Sequence, residues 1–476
     1  MTLKSFVPAL LSVFLLSGCA LHKPKAAAPL PLPENFAAAL GDTGDATLPE
    51  RWWTLFDDPR LDALMEQAFA GNLDLAQALA RLEQLQAMGR QSAAARQPYL
   101  NLEGSGGRGR QQSIAGPVSS DSFRLSAAAG FELDLWQKLK SRSDAADLDV
   151  LASRQDIQSL YLSLTAQLAE LYYLAVEQRA QLALTDSTIV SFEDSLARVE
   201  DRYRSGLVPA VDVYQARQNL AAAKARRPQV ERTLATTEHA LAVLLGRYPG
   251  PTLSGDSATL PALEKAFAIG LPSQLLTRRP DISAALARLQ ASDERIGAAI
   301  AERFPSFALI GNTGGASGEL DTLLSSPNIF WNLLLNLAQP VIDGGRRKAE
   351  VERTQAVFRE SLAEYHLVVL RAFQEVEDAL AQGRTSAERI GLLEARLAAA
   401  SAARRLALDR YLQGLSDYLP VLTSQATEFD AESQLLAARR QLVSDRIALA
   451  RGLGGGWMEQ ALESRLNTTS EQGSEL

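Results

Sequence analysis

The stretch FRLSAAAGFELDLW, residues 123–136, decides the fold of this chain. One face carries Phe123, Leu125, Ala127, Ala129, Phe131, Leu133 and Leu135, and the other carries Arg124, Ser126, Glu132 and Asp134. Alternation with a period of two predicts a β-strand whose two faces differ chemically. An apolar outer face and a polar inner face over roughly ten residues are typical of a strand that crosses a membrane.

A second stretch, residues 328–341, alternates in the same way. One face carries Ile329, Trp331, Leu333, Leu335 and Leu337, and Asn332 and Asn336 interrupt the other. The strand regions are predicted at 98–136 and 304–342, with loops rich in Ser, Gly and Pro at 111–120 and 317–327. Two β-hairpins, and therefore four strands per chain, are expected. The alternative is a soluble periplasmic sheet with one face in water.

Four strands are too few to close a sheet on itself in lipid. Backbone polar groups must be satisfied internally there, so open edges are not tolerated. No segment after the N-terminal run has 18 consecutive apolar residues, so a membrane-spanning part is expected to be a β-barrel. Three copies would supply twelve strands, which lies within the range of bacterial barrels. The sequence therefore predicts that more than one copy of the chain assembles to close the barrel.

The body of the chain contains an internal repeat with an offset of about 207 residues. Three landmarks return at this offset: Asn72-Leu73-Asp74-Leu75 as Arg279-Pro280-Asp281-Ile282, Arg96-x-Pro98 as Arg303-x-Pro305, and Tyr203-x-x-Gly206 as Tyr411-x-x-Gly414. So long an offset lies outside the 20–50 residues of solenoid repeats and indicates a duplicated domain. Repeat 1 is predicted at 59–265 and repeat 2 at 266–456.

Both repeats have the same predicted order of elements. A lead-in helix is followed by the strand region, a very long helix, a turn that contains Gly, and a further helix. The helices of repeat 1 are expected at 59–97, 139–204 and 209–246, and those of repeat 2 at 273–302, 345–411 and 417–452. The chain is therefore expected to be mainly α-helical, with a membrane β part.

The very long helices carry a coiled-coil pattern. Their apolar positions are spaced by three and four residues at Ile189, Phe192, Leu196, Val199 and Tyr203, and at Val369, Phe373, Val376 and Leu380. Such a seam is narrower than the apolar stripe of an ordinary core helix. A helix over 139–204 would be a rod of roughly 100 Å. Long packed helices that form an α-helical barrel or a coiled coil are expected.

The N-terminus indicates export and lipid attachment. Lys4 precedes a short apolar run from Phe6 to Leu16, which is too short to span a membrane and predicts a signal peptide over 1–18. Leu16-Ser17-Gly18-Cys19 resembles a lipoprotein cleavage site, so Cys19 is the predicted lipid attachment residue. Residues 19–58 are expected to form a lipid-anchored tether that leads into the body. A plain signal peptide with an incidental cysteine is the alternative.

Composition excludes several other classes of protein. The net charge is −8, which argues against a nucleic-acid partner, and the lone Cys19 excludes an internal disulfide or a cysteine zinc site. The sequence contains no nucleotide-binding or hydrolase motif in its required context, and the histidines have no metal spacing. We therefore predict no enzyme activity, no cofactor and no metal. The polar tail, 457–476, is expected to be flexible.

Several motifs carry a resemblance to a known family. They are Trp52-Trp53-x-x-Phe56-x-Asp58-Pro59-x-Leu61-Asp62, Arg278-Arg279-Pro280-Asp281-Ile282, Ile296-Gly297-Ala298-Ala299 with Phe304-Pro305, and Pro340-Val341-Ile342-Asp343-Gly344-Gly345-Arg346. In this order and spacing they resemble the TolC-like outer-membrane factors, in particular the lipoprotein branch that serves resistance-nodulation-division efflux pumps. The matching landmarks run from the lipoprotein site to about residue 452.

The resemblance implies a homotrimer in outer-membrane lipid, in which a β-barrel of twelve strands is continued by a periplasmic α-helical barrel of twelve helices. It also implies a passive exit duct for small molecules that docks a periplasmic adaptor (membrane fusion protein) and an inner-membrane pump. Two alternatives remain open from the residues: the exit duct of a type I protein secretion system, and a lipid-anchored periplasmic coiled-coil scaffold without a pore.

The resemblance also assigns roles to the two turns that end the very long helices. The adaptor would dock at tips that include Tyr203, Gly206, Pro209, Tyr411 and Gly414. The pore would be narrowed just past the second turn, where Leu419 takes the hydrophobic gate position. Thr423 occupies a position that is usually acidic in the family, so Asp417 or Asp212 could supply the acidity instead. Equally, both acids could be exposed residues at helix starts, favoured by the helix dipole.

Overall fold

The computed structural model describes residues 22–23, 33, 36–37, 51–114, 116–250, 253–261 and 272–473. The predicted signal peptide, 1–18, and Cys19 lie outside the described residues, as does most of the predicted tether. Within the described ranges, no helix is both long enough and apolar enough to cross a membrane.

The two repeats contain matching elements. After a 3₁₀ turn at Trp52–Phe56, repeat 1 consists of α1 (Pro59–Gly71), α2 (Leu73–Ala94), β1 (Tyr99–Ser113), β2 (Gly116–Leu133), α3 (Lys138–Arg204) and α4 (Ala210–Leu244). Repeat 2 consists of α5 (Pro272–Arg278), α6 (Pro280–Ala301), β3 (Ser306–Ser317), β4 (Ile329–Ala338), α7 (Arg346–Leu412) and α8 (Leu419–Leu453). The helix α9 (Trp457–Gly473) follows. The very long helices α3 and α7 have 67 residues each, and α4 and α8 have 35 each, so the duplication extends to element length.

The four strands form one antiparallel sheet in the order β1-β2-β3-β4, and β2 and β3 join the two repeats. In β2, Leu125 is 43% exposed whereas its neighbour Ser126 is 3% exposed, because successive side chains of a strand point to opposite faces. Gly130 lies opposite Tyr99, and a Cβ at Gly130 would come within 2.4 Å of the tyrosine ring. Glycine at this position therefore makes room for an aromatic side chain on the neighbouring strand.

The first hairpin is tighter than the sequence indicated. Residues 111–120 were expected to form a loop, but β1 continues to Ser113 and β2 begins at Gly116, whose φ is +106°. The polar residues of this stretch pair across the ladder, for example Arg110 with Ser119. The prediction of a loop over the whole stretch was wrong, because ladder hydrogen bonds do not require apolar side chains.

Each lead-in region is a pair of helices rather than the single helix predicted at 59–97 and 273–302. The helix is interrupted at Asn72 in repeat 1 and at Arg279 in repeat 2, and these two residues occupy equivalent positions 207 residues apart. The Asn72 side chain accepts a hydrogen bond from the backbone N–H of Leu75 at 2.9 Å and donates to the carbonyl of Leu244, also at 2.9 Å. These side-chain bonds supply a helix cap that the apolar pattern does not reveal.

The predicted flexible tail is an ordered helix in the structure. In α9, Trp457, Met458 and Leu462 are buried. The Trp457 ring lies 4.9 Å from the ring of Trp53 and 5.6 Å from that of Phe69. The prediction was wrong because the polar composition of this segment hides a short apolar face that packs on the aromatic core. For residues 474–476 the structure gives no description.

The described chain divides into two compact units. Of the described residues, one unit comprises 22–23, 80–114, 116–154 and 283–367, and it contains the sheet. The other comprises 33, 36–37, 51–79, 155–250, 253–261, 272–282 and 368–473, and it contains both turns that end the very long helices. Each unit takes residues from both repeats, and the repeat boundaries 59–265 and 266–456 stay predictions.

Candidate functional site

The turns after α3 and α7 have the same backbone geometry. In the first, Gly206 N–H donates to the carbonyl of Tyr203 and Leu207 N–H donates to that of Arg202, both at 2.9 Å. In the second, Gly414 and Leu415 make the equivalent bonds at 3.0 and 2.9 Å. The φ angles of Gly206 and Gly414 are +72° and +74°, positive values that are usual for a glycine just after the end of a helix. We call the two turns with the adjoining helix ends tip 1 (199–216) and tip 2 (407–425).

The two tips pack against each other through a shared apolar cluster. Its buried members are Val199, Val213, Ala216, Tyr411, Tyr418, Val421 and Leu422. Polar contacts reinforce the cluster, since the Arg202 guanidinium donates to the carbonyl of Leu412 at 3.2 Å. The amide of Gln425 donates to the hydroxyl of Ser195 at 2.8 Å. The tips therefore form one packed structure rather than two independent hairpins.

The equivalent tyrosines of the two tips have different environments. Tyr411 is 2% exposed and Tyr203 is 47% exposed. The Tyr411 ring lies 5.1 Å from the ring of Tyr418, and the Arg202 guanidinium lies 4.8 Å from its centroid. Burial raises the pKa of Tyr411, and it raises the pKa of Tyr418 to about 12. Tyr411 therefore supports the tip from inside, and its part in adaptor docking stays a prediction.

The two acidic residues near the gate position also differ. Asp212, in the first turn of α4, is 8% exposed, whereas Asp417 is an exposed residue just before α8. Burial, and secondarily the charge of Asp417, raises the pKa of the Asp212 carboxyl. The alternative that both acids are exposed at helix starts is therefore wrong for Asp212. For Asp417 it agrees with the structure.

The residues predicted to form the gate lie on the first turns of α8. Leu419 is 56% exposed and begins the helix. Thr423 is also exposed, and its hydroxyl donates to the carbonyls of Leu419 and Pro420 at 3.0 and 3.2 Å. Residues four apart share a helix face, so Leu419 and Thr423 present one apolar and one internally bonded side chain on the same side.

Further apolar side chains are exposed at the tips. They are Leu207, Val211, Tyr214 and Leu415, each more than half exposed. Gly206, Pro209 and Gly414 are exposed as well, and Pro209 directly precedes α4. Grouped apolar exposure of this kind is typical of a surface that contacts another protein. The sequence located the tips but did not predict the contributions of Arg202, Tyr418 or the buried Asp212.

The sheet has two open edges. Among the described strands, β1 pairs only with β2, and β4 pairs only with β3. Large apolar side chains of β4 are exposed, including Trp331 at 78% and Leu335 at 66%. In the described part of the chain, no group of three or more His, Cys, Asp or Glu side chains could hold a metal ion. The candidate functional parts of the described chain are the tips and the sheet.

Comparison with characterised proteins gives the same architecture along nearly the whole chain. The solvent efflux pump outer membrane protein SrpC of Pseudomonas putida is 31% identical over 457 residues, which cover 94% of this chain and 97% of the relative. The cation efflux system protein CusC of Escherichia coli is 30% identical, with 93% of this chain and 97% of the relative covered.

Solved structures agree with these relatives. The outer-membrane channel OprN matches with a TM-score of 0.87 at 30% identity, covering 92% of this chain and all of that one. The open state of the Neisseria gonorrhoeae MtrE outer membrane channel matches with a TM-score of 0.80 at 26% identity, covering 92% and 99%. These matches confirm the predicted combination of a membrane barrel with a long helical barrel, and the resemblance to TolC-like factors.

A model of the outer membrane efflux protein family matches residues 64–247 and 271–455. The two matched segments start 207 residues apart and end 208 apart, which is the offset of the internal repeat. Family members are efflux channels rather than enzymes, in agreement with the prediction of no enzyme activity. By its motifs, its duplicated fold and these matches, the chain belongs to the outer membrane efflux protein family.

Proposed function

We propose that three copies of this chain assemble into a passive exit duct of a tripartite efflux pump. Each copy supplies four strands and four long helices, so a trimer would have a barrel of twelve strands and a tunnel of twelve helices. The observation that carries the proposal is the pair of open edges, β1 and β4, with exposed apolar side chains beside them. Pairing β4 of one copy with β1 of the next would satisfy every edge in lipid.

The tips are the proposed docking site for a periplasmic adaptor, which links the duct to an inner-membrane pump. Their exposed apolar residues, among them Leu207 and Leu415, supply the contact surface. Tyr203, Gly206, Pro209 and Gly414 lie on this surface, and Tyr411 holds it from within. Lipid at Cys19 is the proposed second attachment to the outer membrane, in addition to the barrel.

Leu419 is the proposed constriction of the resting pore. Its exposed side chain begins α8, and three copies would form a ring of apolar groups. A narrow apolar ring closes a pore by excluding water from it. Thr423 adds no charge to this ring, and its hydroxyl is bonded to its own helix, so closure would not depend on an acidic residue at that position.

The proposed cargo is small molecules, with selection by the pump rather than by the duct. Relatives whose names refer to solvent, toluene, antibiotic and cation efflux are all 30–31% identical to this chain. Because this chain is equally similar to relatives named for different cargoes, we infer that the lining of the duct has little selectivity of its own. Family membership favours efflux over the two alternatives, a protein secretion duct and a scaffold without a pore.

The mass of the detergent-purified mature protein, by light scattering corrected for bound detergent, tests the assembly. One chain has a mass of 51.4 kDa before any processing. A protein mass near three chains, together with ion conductance in planar bilayers, is the expected result. A stable monomer would overturn the proposal, because four strands cannot close in lipid. A trimer without conductance would favour the scaffold.

A further inference from the structure

His22, three residues after the predicted lipid-bearing Cys19, lies against helix α6. Its Nε2 is 2.9 Å from Oδ1 of Asp293. The side chain of His22 is 15% exposed and that of Asp293 is 3% exposed. A tether without a defined position would leave its imidazole in water. The buried contact therefore shows that the chain is already seated on the folded body at residue 22.

Gly297, one helical turn after Asp293, completes the cleft that holds His22. We call this cleft, formed by Asp293, Gly297 and Ser141, the seat. A Cβ at Gly297 would lie 3.2 Å from Ser141 Oγ and 3.5 Å from His22 Cβ. The first distance is tighter than ordinary packing, so a side chain here would press on α3 and on the imidazole. Gly297 belongs to the Ile296-Gly297-Ala298-Ala299 motif of the sequence. The small residue at this position thus has a physical reason, which is to admit the histidine between α6 and α3.

The seat lies near the junction of the helices with the sheet. Asp293 is eight residues before the end of α6 at Ala301, about 12 Å along the axis, and β3 begins at Ser306. At this junction the rings of Trp136 and Phe304 lie 5.1 Å apart, and Trp136 Nε1 donates to the carbonyl of Pro305 at 2.7 Å. Aromatic side chains with one bonded polar atom are typical of a membrane–water interface.

We propose that His22 fastens the segment behind the lipid anchor into the cleft formed by Asp293, Gly297 and Ser141, and thereby holds the acyl chains beside the membrane end of the helices. This inference rests on the proposed lipidation of Cys19. Three residues of chain reach at most about 11 Å, so the seat limits where the lipid can enter the bilayer. His22 is a positioning residue, and its occupant is this chain's own N-terminal segment.

Thiol reactivity of full-length trimeric protein in detergent tests the seat. His22→Cys and the neighbouring Lys23→Cys place one thiol each on the same short segment, and Lys23 is exposed whereas His22 is not. We expect maleimide to react about tenfold more slowly with the thiol at 22, because alkylation there requires local opening of the seat. Equal rates would show a free tether and would overturn the proposal.

A disulfide provides the second measurement. The Cβ separation of 3.5 Å between His22 and a side chain at Gly297 lies within the range of disulfides. The double variant His22→Cys/Gly297→Cys should oxidise spontaneously and lose both reactive thiols until it is reduced. The matched control is His22→Cys/Gly89→Cys, because a Cβ at Gly89 would meet Asp147 and Val150 instead. Free thiols in a double variant that still has the wild-type mass would contradict the seat.

Lipidation of Cys19 is measured separately, so that an absence of lipid can be distinguished from an absence of the seat. Cys19 is the only cysteine, and a lipidated thioether does not react with maleimide. Wild-type protein that reacts would refute lipidation, and the seat would then be judged by the same rates in a Cys19→Ser background. If the double variant with cysteine at 297 does not fold, the comparison of residues 22 and 23 decides the question, since it leaves Gly297 unchanged.

Discussion

Tip 1 and tip 2 begin with the same turn and continue with different side chains. Both turns carry a glycine with positive φ and the same pair of backbone hydrogen bonds. Four residues beyond the glycine, tip 1 has Ala210 where tip 2 has Tyr418. The tyrosine that precedes the turn is buried only in tip 2, where Tyr418 covers it. Duplication has therefore preserved the backbone geometry, while the aromatic core of the tips comes from repeat 2.

Proline and aspartate have exchanged places between the tips. Tip 1 has Pro209 and Asp212, and tip 2 has Asp417 and Pro420 at the equivalent positions. As a result the buried carboxyl of tip 1 lies near the exposed carboxyl of tip 2, whose charge contributes to its raised pKa. The comparison teaches that the two halves are not interchangeable, and that each supplies a different part of one packed structure.

Replacing the aromatic core should have the largest effect. Tyr418→Ala removes a side chain that is 1% exposed, and the cavity should destabilise the packed tips by about 3–5 kcal/mol. The tips should then separate more readily, so leak conductance in planar bilayers should increase. Tyr203→Ala, at the equivalent of Tyr411 but 47% exposed, is the control and should change stability by less than about 0.5 kcal/mol. Equal effects of the two substitutions would contradict the asymmetry.

A second comparison concerns the helix breaks at Asn72 and Arg279. Arg279 is paired with Asp281 and Glu375, both at less than 3 Å, and donates to the carbonyl of Gly452 at 3.1 Å. Asn72 holds the equivalent end of α4 with neutral hydrogen bonds alone. Each side chain thus fastens the lead-in helices of its repeat to the last turn of the helix that closes it.

Arg279→Ala should cost about 2–3 kcal/mol, because it removes charge-assisted bonds, and Asn72→Ala about 1–2 kcal/mol. Thermal unfolding in detergent at one protein concentration would measure both, since the stability of an oligomer depends on concentration. Arg279→Lys keeps the charge but not the fork of donors, so it should recover only part of the loss. If Arg279→Lys recovered all of the lost stability, the positive charge alone would account for the contribution of Arg279.

The proposed gate residue, Leu419, can be compared with its equivalent in tip 1 in the same way. Leu419 and Val211 are equivalent residues at the starts of α8 and α4, 56% and 54% exposed. Leu419→Ser should raise single-channel conductance at rest, because a polar ring no longer excludes water. Val211→Ser should leave it unchanged if only tip 2 lines the constriction. Unchanged conductance for Leu419→Ser would remove this residue from the gate.

Periodic patterns made most of the fold predictable from the sequence. The strand alternation, the heptads and the repeat offset predicted four strands and two pairs of long helices. The observed bounds of the long helices differ from the predicted ones by about two residues at most, whereas the first hairpin extends into the predicted loop 111–120. Motif order gave the family. The two tip turns were predictable because few residues other than glycine adopt the positive φ that ends a helix, so a glycine after a long helical pattern marks the turn.

The parts that were missed depend on contacts between distant residues. The side chain of Asn72, at the break between two helices, is bonded to the carbonyl of Leu244, and α9 packs on the rings of Trp53 and Phe69, which are about four hundred residues away. Asp212 has the sequence context of an exposed helix start, yet it is only 8% exposed in the structure. No local pattern carries such information, because burial is decided by the partner surface.

The smallest predicted effect is the pH dependence of Asp212. Its pKa in the folded protein is raised by burial and by Asp417 from the ordinary 3.8, so between these values the folded state holds a proton that the unfolded state lacks. Stability of the tips should therefore increase as the pH falls from neutral through the raised pKa towards 3.8. Tyr411 and Tyr418 remain protonated throughout, since burial moves their pKa values upward.

Melting temperatures of wild type and Asp212→Asn, measured in parallel from pH 7 to 4, isolate this contribution, because other carboxyls cancel in the difference. The melting temperature of the wild type should rise relative to that of Asp212→Asn as the pH falls. In an Asp417→Asn background, the same rise in melting temperature should be smaller but still present. Burial, which is the larger cause of the raised pKa of Asp212, remains in that variant. Parallel curves for wild type and Asp212→Asn would show that the carboxyl is solvated, and the buried acid would no longer distinguish tip 1 from tip 2.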